Sequence, residues 1–361
     1  MIYLDHNATS PLLAEVRAAM EPWWGVPTNA SSVHRAGQEA RAALELARGQ
    51  VAAFLGRPAA GVVFTSGATE ANQAWWHGMW QRGVRSFATS AIEHPCVLGA
   101  AERVRRQGGT VYLWPVEPDG RTRVEALAYD VGAVSLMAAN HETGVLQPLA
   151  DALATGLPVH VDATQAAGRV ELDLAAAHGV VISGHKLGGP PGIGVLSLPG
   201  SEAFPTLLTG GTQERGRRAG TVNLPGAVGL GVACAVARRE RSTRRARWAR
   251  LRVALESGLE ALGARVVGAE APRVPQTTCA VLPVGPSELV VQALDLRGIA
   301  VSAGAACASG SQEPSPVLTA MGDVHPDRSL RVSLGPESTR ADVDALLGAL
   351  AEVLPALADL E

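Results

Sequence analysis

Lysine is almost absent from this 361-residue chain. Of its 31 lysine and arginine residues only Lys186 is a lysine, and the rest are arginine. An exposed cation can be of either type at little cost, so surface lysines can drift to arginine without consequence. Arginine cannot supply an amine that loses its proton near neutral pH and condenses with an aldehyde. Lys186 lies in Val180-Val-Ile-Ser-Gly-His-Lys-Leu-Gly-Gly-Pro-Pro-Gly-Ile-Gly194, where an apolar strand runs into a Gly/Pro-rich turn. That is a setting for chemistry rather than for solvation.

Cysteine is scarce as well. Cys96, Cys234, Cys279 and Cys307 are far apart and form no C-x-x-C pair, which argues against a zinc site or a disulfide framework. Cys234 and Cys279 sit in apolar runs and are expected in the core. The longest uncharged, mostly apolar stretch, Pro225–Ala237, falls short of the roughly twenty residues a membrane helix needs. An excess of positive charge is missing too: the formal charge is −3, so no general electrostatic attraction to nucleic acid is expected. Met1-Ile-Tyr-Leu-Asp-His has no basic n-region or signal-peptide core, and a cytoplasmic location is the expectation. The sole lysine follows a histidine, which excludes a G-x-x-x-x-G-K-[ST] phosphate loop. G-x-G-x-x-G after a strand, G-x-S-x-G and H-E-x-x-H are absent as well.

What remains is a globular chain, 47% apolar and 18% charged, longer than one ordinary core. Short apolar runs predict strands at Val62–Phe64, Ser86–Thr89, Thr110–Leu113, Ala133–Ala138, Val159–Val161, Val180–Ile182 and Gly194–Leu198. Helical patterns at Ser32–Phe54, Thr69–Arg82 and Pro95–Gln107 separate several of them. This alternation predicts an α/β fold around a mostly parallel, doubly covered sheet. Past Asn223 the character changes. Trp248, Leu251, Leu255, Leu259 and Leu262 form one apolar stripe on a long helix whose first half is rich in arginine from Arg238 to Arg252. The arginines read as a solvated face, with an acidic partner protein as the sharper alternative. The helix is expected to bridge into a smaller domain ending in the amphipathic Ala341–Leu360. The division expected is a large domain at 14–240, with 1–13 and 241–361 forming the small one.

Three segments suggest a ligand. In Gly61-Val-Val-Phe-Thr-Ser-Gly-Ala-Thr-Glu70 a strand breaks at Gly67 and a helix opens at Ala68–Thr69, which makes either an anion cup or a plain N-cap. In Pro158-Val-His-Val-Asp-Ala-Thr-Gln165, Asp162 follows directly on a strand, as a helix cap or as the partner of a cationic ligand atom. Lys186 follows another strand. A cofactor with a phosphate, a basic pyridine nitrogen and an aldehyde uses all three, and that cofactor is pyridoxal phosphate.

The chain resembles the cysteine desulfurases of the class-V aminotransferase family over nearly its whole length. The blocks that carry the resemblance include Tyr3-Leu-Asp-His-Asn-Ala-Thr-Ser-Pro11, Asn29-Ala-Ser-Ser-Val-His34, Phe64-Thr-Ser-Gly-Ala-Thr-Glu70, Glu93-His-Pro95 and Glu142-Thr-Gly-Val-Leu-Gln-Pro148. They continue with His160-Val-Asp-Ala-Thr-Gln165, Ser183-Gly-His-Lys186, Gly210 through Thr221, Ser302-Ala-Gly-Ala-Ala-Cys-Ala-Ser309 and Ser329-Leu-Arg-Val-Ser-Leu-Gly335. The resemblance implies fold type I of the pyridoxal-phosphate enzymes and a homodimer. Lys186 is then the residue that holds the cofactor and moves protons at the substrate Cα. Asp162 pairs with the pyridine nitrogen, Gln165 bonds near the phenolic oxygen, and His94 stacks on the ring as an acid/base. Ala68, Thr69, Ser183 and His185 hold the phosphate, with Thr221 from the other subunit. Arg331 receives the substrate carboxylate, with Asn140 also on the substrate side. Cys307 takes sulfur from L-cysteine as a persulfide, for transfer to an acceptor protein in iron–sulfur or thio-cofactor synthesis.

Cys307 also fits that role by its setting, a Gly/Pro/Ser-rich segment expected to be an exposed loop. Two departures stand out. The family usually has a second asparagine where this chain has His141, here assigned to cofactor binding. It also usually has a small polar residue where this chain has Cys96, to which no role is assigned. Alternative readings are a selenocysteine lyase, an aminotransferase, or a non-catalytic protein of the same fold.

Overall fold

The computed structural model describes residues 1–27, 29–124, 130–304 and 314–358. Cys307 lies outside the described residues. The first strands are β1 (Ile2–Tyr3), β2 (Val62–Thr65), β3 (Ser86–Ser90), β4 (Thr110–Trp114), β5 (Ala133–Met137), β6 (Val159–Asp162), β7 (Gly179–Ser183) and β8 (Gly194–Ser197). Helices α1 (Ala14–Met20), α2 (Arg35–Leu55), α3 (Ala68–Gln81), α4 (Pro95–Arg106) and α5 (Leu149–Ala154) alternate with them, and α6 (Leu224–Ala261) follows.

Seven of these strands form one sheet in the order β2-β8-β7-β6-β5-β3-β4. Only β8 runs against its neighbours, so β2, β3, β5, β6 and β7 deliver their carboxyl ends to one edge. Strands β5, β6 and β7 are buried at every position, as expected of parallel strands covered by helices on both faces. On one face Trp75 and Trp76 of α3 are fully buried. Trp75 stacks on His160 at 4.8 Å and Trp76 on Phe87 at 4.6 Å. The backbone of β7 approaches Trp75 so closely that a Cβ on Gly179 would lie 2.4 Å from the indole, which requires glycine there. On the other face α1, α2 and the start of α6 pack into a second core.

The later elements are β9 (Arg265–Val266), β10 (Thr277–Val281), α7 (Ser287–Asp295), β11 (Ile299–Ala300), β12 (Ser302–Ala303), α8 (Pro316–Ala320), β13 (Ser329–Ser333) and α9 (Arg340–Ala358). Strands β12-β13-β10-β9 make an antiparallel sheet packed by α7, α9 and the second half of α6. These strands are beyond what the sequence predicts. They are short, and runs such as Ser-Leu-Arg-Val-Ser and Thr-Thr-Cys-Ala-Val carry polar residues that are buried nonetheless.

Helix α6 serves both cores. Leu224 to Ala237 lie in the large core and Trp248, Leu251, Leu255 and Leu259 in the small one, so a division at 240/241 falls inside a continuous helix. Its arginines are in part paired, as in Arg239–Glu15 and Arg241–Glu171. The chain start also bridges the two. Strand β1 pairs with β11 and Leu4 is in the small core, whereas Ser10 and Leu13 donate backbone bonds to His185 and Gly188. Among the described residues no helix is long and apolar enough to cross a membrane.

Candidate active site

At the carboxyl edge of the large sheet lies a cavity of about 490 Å³. One wall is the N-terminus of α3. Gly67 caps it without a side-chain bond, leaving the first-turn N–H groups of Ala68 and Thr69 at the cavity, an arrangement that receives an anion. Ser66 N–H donates to Glu70 at 2.8 Å, and Arg218 pairs with the same carboxylate at 3.0 Å, so no bare negative charge faces the cup. Ser183 and His185, from the end of β7 and the turn after it, close this side. His185 shares a hydrogen bond with Thr9 at 3.2 Å, and burial with the nearby Lys186 and Arg169 pushes its pKa down to about 4, so it is neutral near pH 7.

The floor is polar. Asp162 ends β6 and accepts from Asn72 at 2.8 Å and from the Thr164 backbone at 3.0 Å. Lys186 Nζ donates to the carbonyl oxygens of Asn7 and, at 2.6 Å, Ala8. Gln165 Nε2 donates to the same Asn7 carbonyl at 3.0 Å. The chain start therefore positions both the amine and the amide. No local spacing signals this, although Tyr3–Pro11 is among the matching blocks.

His94 caps α4, and its ring meets that of His141 edge-on at 5.4 Å. Burial lowers the pKa of His94, and burial with His94, Arg331 and Lys186 nearby holds His141 well below the ordinary value; both are neutral near pH 7. Beneath them Glu93 is fully buried, accepts from Met137 N–H at 2.6 Å, and has its pKa raised well above the carboxylate range by burial. Arg331 of β13 reaches the cavity from the small sheet. Its guanidinium is anchored to Asp5 at 2.8 Å and the His141 carbonyl at 3.2 Å, while Nε has no partner.

Asn140 and Thr221 are not among the residues that line this cavity. Asn140 is fully buried, donating to the Ile92 carbonyl at 3.1 Å and accepting from Glu142 and Thr143 N–H at 2.9 and 3.0 Å. Its side chain braces the turn that presents His141 and ties it to Ile92. Thr221 is exposed, away from the cavity of its own chain. The ends flanking the Cys307 segment are described: Gly304 N–H donates to Ser329 at 3.0 Å and Ser315 hydroxyl to Glu142 at 2.6 Å. Cys234 and Cys279 are fully buried, as their apolar contexts predict.

The donor set suits a planar phosphate-bearing aldehyde with a basic ring nitrogen. The observation that tests the fit is a set of buried cavity-lining atoms left without partners: Thr164 Oγ1, Gln165 Oε1 and His141 Nδ1. Buried polar groups are almost always satisfied, so three around one void mark a ligand site.

An α/β fold with a lysine, a carboxylate and a helix N-terminus on one cavity defines an enzyme of the pyridoxal-phosphate type. A profile of the aminotransferase class-V family matches residues 2–346. The chain is 40% identical over 372 residues to a cysteine desulfurase of Rhodobacter capsulatus, covering 99% of this chain and 97% of that one. A cysteine desulfurase of Cereibacter sphaeroides is likewise 40% identical, over 379 residues and with coverage of 99% and 96%. Among solved structures, a NifS-like protein superposes with a TM-score of 0.90 at 31% identity, covering 99% of this chain and all of that one. A NifS-like protein from Rickettsia africae gives 0.89 at 29% identity, with coverage of 98% and 99%. The chain belongs to the class-V aminotransferase family, among its cysteine desulfurases.

Proposed function

We propose that this protein uses pyridoxal phosphate to take sulfur from L-cysteine, giving L-alanine and a persulfide on Cys307. One observation carries the reading: Lys186 Nζ, the Asp162 carboxylate and the α3 N-terminus open onto the same cavity. The N–H groups of Ala68 and Thr69, with Ser183 and His185, would hold the phosphate, joined by Thr221 of a second copy. Asp162 would keep the ring nitrogen protonated, and Gln165 and His141 would bond the phenolic oxygen. When bound, the cofactor supplies an electron sink that weakens bonds at the substrate Cα and Cβ.

The residues of this chain then divide the work. Arg331 orients the substrate carboxylate from its anchored position. Lys186 accepts the Cα proton and returns one when the product leaves. His94, which lines the same cavity, would act as the acid/base, taking up a proton before it gives one to the carbon fragment. The Cys307 thiolate forms an S–S bond to the substrate sulfur as the substrate Cβ–S bond breaks. The electron pair of the broken bond stays with carbon, which takes a proton, so cysteine plus thiol becomes alanine plus persulfide. The sulfur then passes to an acceptor in iron–sulfur cluster or thio-cofactor synthesis.

The test is to incubate the protein with L-cysteine and a reductant and to measure alanine and sulfide together. Equal amounts of both are expected. Alanine without sulfide, or neither product, overturns the reading.

A further inference from the structure

Cys96 stands inside the cavity wall and takes no part in the chemistry described so far. Three contacts define the setting of its sulfur and the ring beside it, and the Thr69 hydroxyl also bonds the thiol. Asn72 Nδ2 lies 3.1 Å from Cys96 Sγ and also donates to Asp162 at 2.8 Å. Cys96 Sγ lies 3.0 Å from His94 Nδ1. The backbone N–H of Cys96 points at that same ring nitrogen at 3.2 Å.

The directions of these bonds follow from what each group can do. A backbone N–H only donates, so His94 Nδ1 is an acceptor and carries no proton. An amide nitrogen only donates, so Asn72 gives a hydrogen to Sγ. With Nδ1 an acceptor, the 3.0 Å contact is made by the sulfur donating its own proton to Nδ1, which requires a thiol and not a thiolate. Burial and the neighbouring Asp162 and Glu93 carboxyl groups push the Cys96 pKa up to about 12, which keeps the thiol protonated near neutral pH. Both donors on Nδ1 leave the ring proton of neutral His94 on Nε2.

We infer that Cys96 is a positioning residue for His94: it occupies Nδ1 and holds the neutral imidazole in the Nε2–H tautomer, which leaves Nε2–H as the edge His94 offers to the cavity. The chain Asp162–Asn72–Cys96–His94 thus links the carboxylate meant for the ring nitrogen to the imidazole proposed as acid/base. Asn72 is fully buried and belongs to α3, Cys96 to α4 and Asp162 to β6, so three elements set one side chain. The inference rests on the acid/base role proposed for His94, but its test needs no turnover, and the two can fail separately.

The test is nitrogen NMR of the holoenzyme labelled at its nine histidines, with His94 assigned by the signal lost in His94→Gln. Titration is read against the groups that face His94, namely Asp162, Lys186 and His141. In the unaltered protein His94 is expected as the neutral Nε2–H tautomer. Cys96→Ala removes one donor to Nδ1, which favours protonation there, so the His94 pKa is expected to rise by roughly one pH unit. Cys96→Ser keeps a hydroxyl that accepts and donates in the same way, and is expected to restore the original titration. A proton on Nδ1 in the unaltered protein overturns the inference. So does an alanine variant that melts normally and titrates like the parent, or a serine variant that behaves like alanine.

Discussion

Arg331 Nη2 lies 2.8 Å from Asp5 Oδ1, an ion pair that joins β13 of the small sheet to the start of the chain. The arginine side chain is 3% exposed and the aspartate 18%. The cation proposed for the substrate carboxylate therefore already has a counterion, and a bound substrate would share it. The same segment two and three residues on supplies the carbonyl groups that receive Lys186.

Arg331→Lys keeps the charge and loses the planar fork. KM for L-cysteine is expected to rise about 10-fold with a smaller change in kcat, because the contact serves binding in ground and transition state alike. Asp5→Asn leaves a buried guanidinium without its counterion. A loss of about 2 kcal/mol in urea unfolding is expected, below the range for a fully buried pair because Asp5 is partly wet. An unchanged KM in the lysine variant counts against Arg331 as the carboxylate site.

Lys186→Arg is expected to lose the visible absorbance of the bound cofactor and at least about 10³-fold in turnover, since a guanidinium cannot condense with an aldehyde. Retained absorbance and turnover would falsify its role. Cys307→Ser is expected to bind cofactor and L-cysteine but to form neither persulfide nor alanine in multiple turnovers. Trapping with an alkylating reagent followed by mass spectrometry reads this directly.

Arg48 and Glu214 form a bidentate pair whose side chains are 5% and 1% exposed. Glu214 and Arg215 both sit at positive φ, 48° and 59°, and the pair holds this turn against β2, where Glu214 also accepts from Phe64 N–H at 2.8 Å. Glu214→Gln is expected to cost about 3 kcal/mol of stability by calorimetry or urea unfolding. Because the turn leads to Thr221, cofactor retention on dialysis should fall as well. A variant as stable as the parent refutes the assignment.

Low pH should unfold the protein through its buried histidines. His6 and His185 have pKa values pushed down to about 4, in each case chiefly by burial, and His160 is lowered by burial in the same direction. Below about 6.5 the unfolded chain binds protons that the folded one refuses, so stability is full above that pH and falls as pH drops from 6.5 toward 4. Melting temperature is expected to fall by more than ~5 °C between pH 7 and pH 5. His160→Gln should flatten the slope, and equal slopes in both proteins would contradict its share.

Much of the large sheet is legible in sequence because its strands are continuous apolar runs whose ends carry the chemistry. Asp162 ends such a run and Lys186 and Thr69 come within four residues of the end of one, so three local patterns predict one edge. The antiparallel sheet is not legible in this way. Its strands hold buried Thr, Ser and Arg that are satisfied by distant partners, as where Asn7 bonds Thr277 at 3.0 Å and Ser333 at 2.9 Å. Asn140 shows the same limit. Its bonds run to its own turn and to Ile92, 48 positions away, which no local pattern signals.

The sequence by itself determined the chemistry: one amine that no arginine can replace, one carboxylate and one helix N-terminus, each placed at a strand end by covalent order. Tertiary structure decided how that chemistry is aimed. Asn7 and Ala8 hold Lys186 from 178 and more positions away, and Asp5 holds Arg331 across 326. Asn72 ties Cys96 and His94 to Asp162 across three elements. Local pattern specifies which groups a chain carries, but a hydrogen bond between distant segments exists only once packing has brought them within 3 Å of each other.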